Sequence, residues 1–80
     1  MNQQREARDA RHRTRQDEII AAARRCFRQS GFHGASMAQL ASAASLSVGQ
    51  IYRYFPSKDA LIEEMVKRIV DGRVAAMSAQ

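Results

Sequence analysis

Ser36-Met37-Ala38-Gln39 and Ser47-Val48-Gly49-Gln50 decide the fold. Each is a Ser-x-x-Gln capping box: the serine hydroxyl accepts from the amide three residues on, and the glutamine side chain reaches back to the serine amide. Two helices therefore begin close together, and the first of them must be short. It is expected over Met37 to Ala44, followed by a turn at Ser45-Leu46-Ser47 and a second helix from Val48 to about Phe55, where Pro56 prevents continuation. Leu46 before the second box and Ile51 after it form a hydrophobic staple that sets the angle at which the chain joins that helix. Leu40, Ala41 and Ala44 give the first helix a small apolar face for close approach. The unit reads as helix, tight turn, helix.

Upstream, Ile19, Ile20, Ala23, Cys26 and Phe27 recur at helical spacing, and Thr14 with Asp17 resembles another capping box, so a helix is expected from Thr14 to about Gln29. Gly31 suits the left-handed position after that helix, with Phe32 folding back onto its last turn. Residues 1–13 have no apolar face and are expected as a flexible basic arm, a frayed leader that can also lie along phosphates. Downstream, Ser57 caps a fourth helix whose Leu61, Ile62, Met65, Val66, Ile69, Val70, Val74 and Met77 oppose Lys58, Glu63, Glu64, Lys67 and Arg68, with a kink or pause expected near Gly72. That stripe is wider than a three-helix core of this size needs, so its C-terminal half expects a partner. Three units follow: the arm, a three-helix domain over 14–56, and a connecting helix over 57–80 leading toward a further domain.

Composition agrees with an all-α fold. Proline occurs once, glycine is sparse, and hydrophobic residues make up 45% of the 80, enough for one small core. The net charge of +5 calls for a polyanionic partner, and most of it lies in the first 16 residues, where five arginines face only Glu6 and Asp9. Cys26 has no second cysteine to pair with, and with His12 and His33 it makes too few ligands for structural zinc. Cys26 is expected as a packing residue, since no acid or histidine stands near it in sequence to activate it. No apolar run is long enough to span a membrane or form a signal peptide, so the cytoplasm is the expected location. Paired acids, a nucleophile with its base, and a phosphate-cradling loop are all missing, so the chain is expected not to be an enzyme and to need no cofactor.

Ala35-Ser36-Met37, Leu40-Ala41, Ala44-Ser45-Leu46-Ser47, Ile51-Tyr52-Arg53-Tyr54-Phe55 and Pro56-Ser57-Lys58-Asp59-Ala60-Leu61, with Ile19, Ile20, Ala22, Ala23, Phe27, Gly31 and Phe32 before them, resemble the N-terminal helix-turn-helix of TetR-type transcriptional regulators. The resemblance covers roughly residues 15–66. It departs from the family pattern at Ser45, where glycine is common.

The resemblance implies a sequence-specific binder of double-stranded DNA, usually a repressor, that meets a palindromic operator as a homodimer and releases it when a small-molecule inducer enters a separate C-terminal domain. It implies that helix 3 enters the major groove with Val48, Gly49, Gln50, Tyr52 and Arg53 facing it, and that Ser36, Ser47, Tyr54 and Lys58 hold phosphates. The chemistry suits those roles: Gln50 can pair with adenine, Arg53 with guanine and Val48 with a thymine methyl, while Gly49 permits close backbone approach. Hydroxyls, helix-start amides and an ammonium suit an anion. Gln50 has a second use, capping the amide of Ser47, and the residues alone do not choose between the two. Tyr52 and Tyr54 point about 200° apart, so at most one lies fully in the core. Arg24, Arg25 and Arg28 read as a solvated face, with Arg25 and Arg28 as outer phosphate candidates. A rival class is a protein-interaction bundle docking a partner through helix 4. A membrane-surface helix is opposed by Glu63, Glu64 and Asp71.

Overall fold

A computed structural model describes the backbone of residues 2–72 and the side chains of residues 6–72. It contains α1 (Asn2–Gly34), α2 (Met37–Ala43), α3 (Val48–Tyr54) and α4 (Lys58–Val70), and no strand among the described residues. The all-α expectation holds.

The first helix differs from its expected form. It runs back through Thr14 to Asn2 without a break, so no cap forms at Thr14, and residues 2–13 are helical rather than irregular. The physical reason lies in their composition. Arginine, alanine and glutamine are good helix formers, and neither Gly nor Pro interrupts them, so a turn nucleated by the packed Ile19 and Ile20 extends backward at little cost. Asp17 consequently does not cap anything and turns to Arg68 of α4. At the other end the helix breaks at Gly31, whose φ of 76° and ψ of 168° are in a region open essentially to glycine alone. One further turn then reaches Gly34, closed by the Ala35 amide donating to the Gly31 carbonyl at 3.2 Å. Phe32 folds back as expected, its ring 4.8 Å from that of Phe27.

Both capping boxes form in full, with the serine hydroxyl and the glutamine carbonyl each engaged. Between them α2 ends in a Schellman arrangement: the Leu46 amide donates to Ala41 at 2.8 Å and the Ser45 amide to Ser42 at 3.0 Å. Ser45 takes the left-handed position, with φ of 62°. That is the conformation glycine adopts without strain, which gives the departure at Ser45 a physical meaning.

The core gathers Ile19, Ile20 and Ala23 of α1, Met37, Leu40 and Ala41 of α2, Ile51 of α3, Phe55, and Leu61 and Met65 of α4. Cys26, Phe27, Leu46 and Ile62 pack half-buried around it. Fully burying a large aliphatic or aromatic side chain contributes about 1.5–3 kcal/mol, so Ile51 and Phe55 suffice to hold a seven-residue helix that would not form alone. The outer end of α4 is uncovered: Val66 and Val70 are exposed, and Ile69 is about a third exposed. The helix ends at Asp71 and Gly72, where φ reaches +82°. Val74 and Met77 lie outside the described residues.

Arg68 overturns its expected place on the polar face of α4. It is only 5% exposed and lies against α1. Its Nη2 donates to Gln16 Oε1 at 2.6 Å, and its Nη1 stands 3.4 Å from Asp17 Oδ1. The second contact is a charge contact without hydrogen-bond geometry, since Asp17 Oδ1, Arg68 Nη1 and Arg68 Nε all lack a hydrogen-bond partner.

Candidate nucleic-acid interface

Helix α3 owes its orientation to two apolar anchors and one cap. Ile51 is fully buried and Phe55 nearly so, and they fix one side of the helix to the core. Ser47 fixes its start, accepting from the Gln50 amide at 3.1 Å. The remaining side faces outward. Val48 and Tyr52 are 44% and 45% exposed, and Gly49, Gln50 and Arg53 are exposed as well. Those five are the residues expected to face a partner, and the fold brings them together on one accessible face.

Gly49 is informative because nothing inside the protein calls for it. A methyl group added there would meet no atom within 4 Å, and its backbone is ordinary helix. Glycine in a helix costs up to about 1 kcal/mol relative to alanine. The open space at this position is therefore an external feature.

Gln50 resolves toward the cap. Its Oε1 accepts from the Ser47 amide at 2.8 Å, which leaves the side-chain NH2 as its outward group. In that rotamer the pairing expected with adenine, which needs the oxygen and the nitrogen together, is not available; the amide nitrogen alone can donate to an acceptor.

The residues expected on phosphates occupy different surroundings. Ser36 and Ser47 are exposed caps whose hydroxyl oxygens accept from the Gln39 and Gln50 amides; the Ser36 hydroxyl also donates to Gln39 Oε1 at 3.5 Å, while the Ser47 hydroxyl remains a donor. Tyr54 is half-buried and leans on α1, its ring 4.9 Å from that of His12, and its carbonyl accepts from Gln16 Nε2 at 3.4 Å. Of the two tyrosines it is thus Tyr54 that turns inward, and only partly. Lys58 was missed as a structural residue. Its ammonium donates to the carbonyls of Phe32 and Ala35, the latter at 2.9 Å, and so ties α4 to the turn that follows Gly31. One ammonium proton remains for another partner. Arg25 and Arg28 stay exposed, as expected of a solvated face, whereas Arg24 is half-buried.

Gln16, which joins the Tyr54 carbonyl to Arg68, was not singled out in the sequence, because a lone glutamine on a polar stretch carries no periodic signal. Among the described residues no cluster of His, Cys, Asp or Glu is able to hold a metal ion, and no helix is long and apolar enough to cross a membrane.

This arrangement of helices has known counterparts. Residues 19–65 match the family model described as bacterial regulatory proteins, tetR family. The HTH-type transcriptional regulator UidR of Escherichia coli (strain K12) is 40% identical over 65 residues, covering 81% of this chain and 31% of that protein. The HTH-type transcriptional regulator RutR of the same organism is 39% identical over 61 residues, covering 76% of this chain and 29% of that protein. The chain thus spans about a third of the length of these curated relatives. No solved structure matches. The family match takes in more than half of the sequence, from the buried Ile19 in the middle of α1 through both capping boxes to Met65, and the chain belongs to the tetR family of bacterial regulatory proteins.

Proposed function

We propose that the chain binds double-stranded DNA in a sequence-specific manner, with α3 in the major groove, as the reading head of a transcriptional repressor. The observation that carries this reading is the outward face of α3: a capped, doubly anchored helix that presents Val48, Gly49, Gln50, Tyr52 and Arg53 together. A helix in the major groove reads base edges with such side chains, while flanking groups on phosphates set the register. Arg53 donates to guanine, Gln50 donates through its free amide nitrogen, Val48 contacts a thymine methyl, and Gly49 admits a close backbone approach. Ser36, Ser47 and Tyr54 hold phosphates, and Lys58 adds the proton that its two carbonyls leave over. The relatives' printed role as transcriptional regulators supports a binding unit and not an enzyme. A cytoplasmic location goes with that role.

A half-site with a few base contacts, at about 1–3 kcal/mol each, gives modest specificity. The full-length regulator is accordingly a homodimer on a palindromic operator, its half-sites about 34–36 Å apart, so that the second contact becomes intramolecular. The uncovered Val66, Ile69 and Val70 at the outer end of α4 suit packing against the rest of such a protein, where a small-molecule inducer would bind.

Selection of bound sequences from a random duplex pool by a dimerised form of the chain tests the reading. A defined half-site is expected, with loss of discrimination in Arg53→Ala and Tyr52→Ala. Enrichment of no sequence, or equal enrichment by those variants, would overturn it.

A further inference from the structure

The helical extension of α1 places a row of arginines beside α3. Arg8, Arg11, His12 and Arg15 follow the spacing i, i+3, i+4, i+7 within one continuous helix, so they share a face. His12 on that face meets the Tyr54 ring at the C-terminal end of α3. The two helices thereby border an open cleft of about 640 Å³, whose lining includes Arg8, Arg11, His12, Arg15, Glu18 and Tyr54. Its charge is lopsided. Glu18 is the only acid on it and is taken up by Arg15 at 3.4 Å, both half-exposed. At 100° per residue, Glu6 and Asp9 point about 110° or more away from the middle of the row, Asp9 lying nearest to His12 at its edge. Arg8 and Arg11 are exposed and have no ion pair among the described residues. A helix that gathers unpaired like charges on one face gains nothing from them internally, since like charges at i, i+3 and i, i+4 repel.

We infer that this cleft is a second binding surface for the same duplex: Arg8 and Arg11 clamp the phosphate backbone flanking the groove that α3 enters, with Tyr54 as the shared wall between the two contacts. The inference rests on the DNA reading proposed above and adds to it a sequence-independent contact outside the base-reading helix. Duplex DNA fits the surface because its phosphates recur along an edge, matching a row of guanidinium groups spaced one turn apart, and because Arg grips phosphate in a planar, two-pronged manner.

The test measures binding of the chain to a selected duplex and to a scrambled duplex of equal length, both extending about one helical turn beyond the α3 site, between about 50 and 200 mM salt. Arg8→Gln/Arg11→Gln keeps helix propensity and removes the charge. It is expected to weaken binding to both duplexes alike and to lower the salt slope by about 1.8, so that its disadvantage shrinks roughly tenfold across that salt range. Arg8→Lys/Arg11→Lys is expected to keep the native slope, and trimming the flanks is expected to bring the native chain down to the glutamine variant. The inference is overturned if the glutamine variant keeps the native slope, if its loss falls on the selected duplex alone, or if the lysine variant loses as much. Loss of discrimination between the duplexes by native chain, with the arginine effect intact, would instead defeat only the role of α3, and absence of binding to either duplex would defeat both.

Discussion

Ser45 holds a backbone conformation, φ of 62°, that costs an L-residue with a Cβ about 1–2 kcal/mol and costs glycine nothing comparable. The strain is tolerated because the Schellman hydrogen bonds from Ser45 and Leu46 fix the turn on either side. Ser45→Gly is therefore expected to raise stability by about 1 kcal/mol, seen as a higher midpoint in thermal unfolding with no change in helix content. An unchanged or lower midpoint would mean that the serine hydroxyl contributes something the backbone argument omits. Lys58 is a second residue whose local role exceeds its charge. Lys58→Met keeps the aliphatic stem but leaves the Phe32 and Ala35 carbonyls without their donor, at an expected cost of about 1–2 kcal/mol in denaturant unfolding. A phosphate contact alone would leave the stability of the free protein untouched.

At the level of the element, α3 is too short to persist without its cap and its anchors. Ser47→Ala removes the acceptor for the Gln50 amide and is expected to cost about 1 kcal/mol in denaturant unfolding, and it frees the Gln50 side chain from half of its reciprocal pair. Gly49 separates stability from function more sharply. Gly49→Ala meets open space and restores a better helix former, so stability is expected to rise by about 0.5–1 kcal/mol. On the DNA reading, the added methyl stands between the helix backbone and the groove, so duplex affinity is expected to fall. Parallel melting and duplex-titration experiments check the pair of signs; a rise in both would remove Gly49 from the interface.

Across the whole molecule, Arg68 joins regions far apart in the chain. Its guanidinium holds Gln16, whose amide holds the Tyr54 carbonyl, and Asp17 and Glu64 supply the nearby negative charge, the latter at 3.8 Å. One side chain of α4 thus bears on the start of the packed part of α1 and on the end of α3. Arg68→Ala leaves the Gln16 oxygen and the Asp17 carboxylate without their cation and is expected to cost about 1–3 kcal/mol, reduced from the fully buried case because Asp17 and Glu64 reach solvent. A double-mutant cycle with Gln16→Ala is expected to show a coupling of at least about 0.5 kcal/mol. Additive losses would mean that the two side chains merely pack side by side.

The sequence by itself determined the short α2, the turn and α3, because capping boxes, a staple and a proline act over three or four residues and need no distant partner. It also marked the outward face of α3, since Ile51 and Phe55, four apart, were the better candidates for its inner side, and both are buried. What only the tertiary structure decided were the features that depend on contacts across long stretches of chain. The inward course of Arg68, the grip of Lys58 on the turn after Gly31, and the choice of Tyr54 over Tyr52 to lean on α1 each require knowing which helix lies alongside. The backward extension of α1 belongs with them: a polar, arginine-rich stretch reads as an arm when alone, and as helix once a packed nucleus stands at its end.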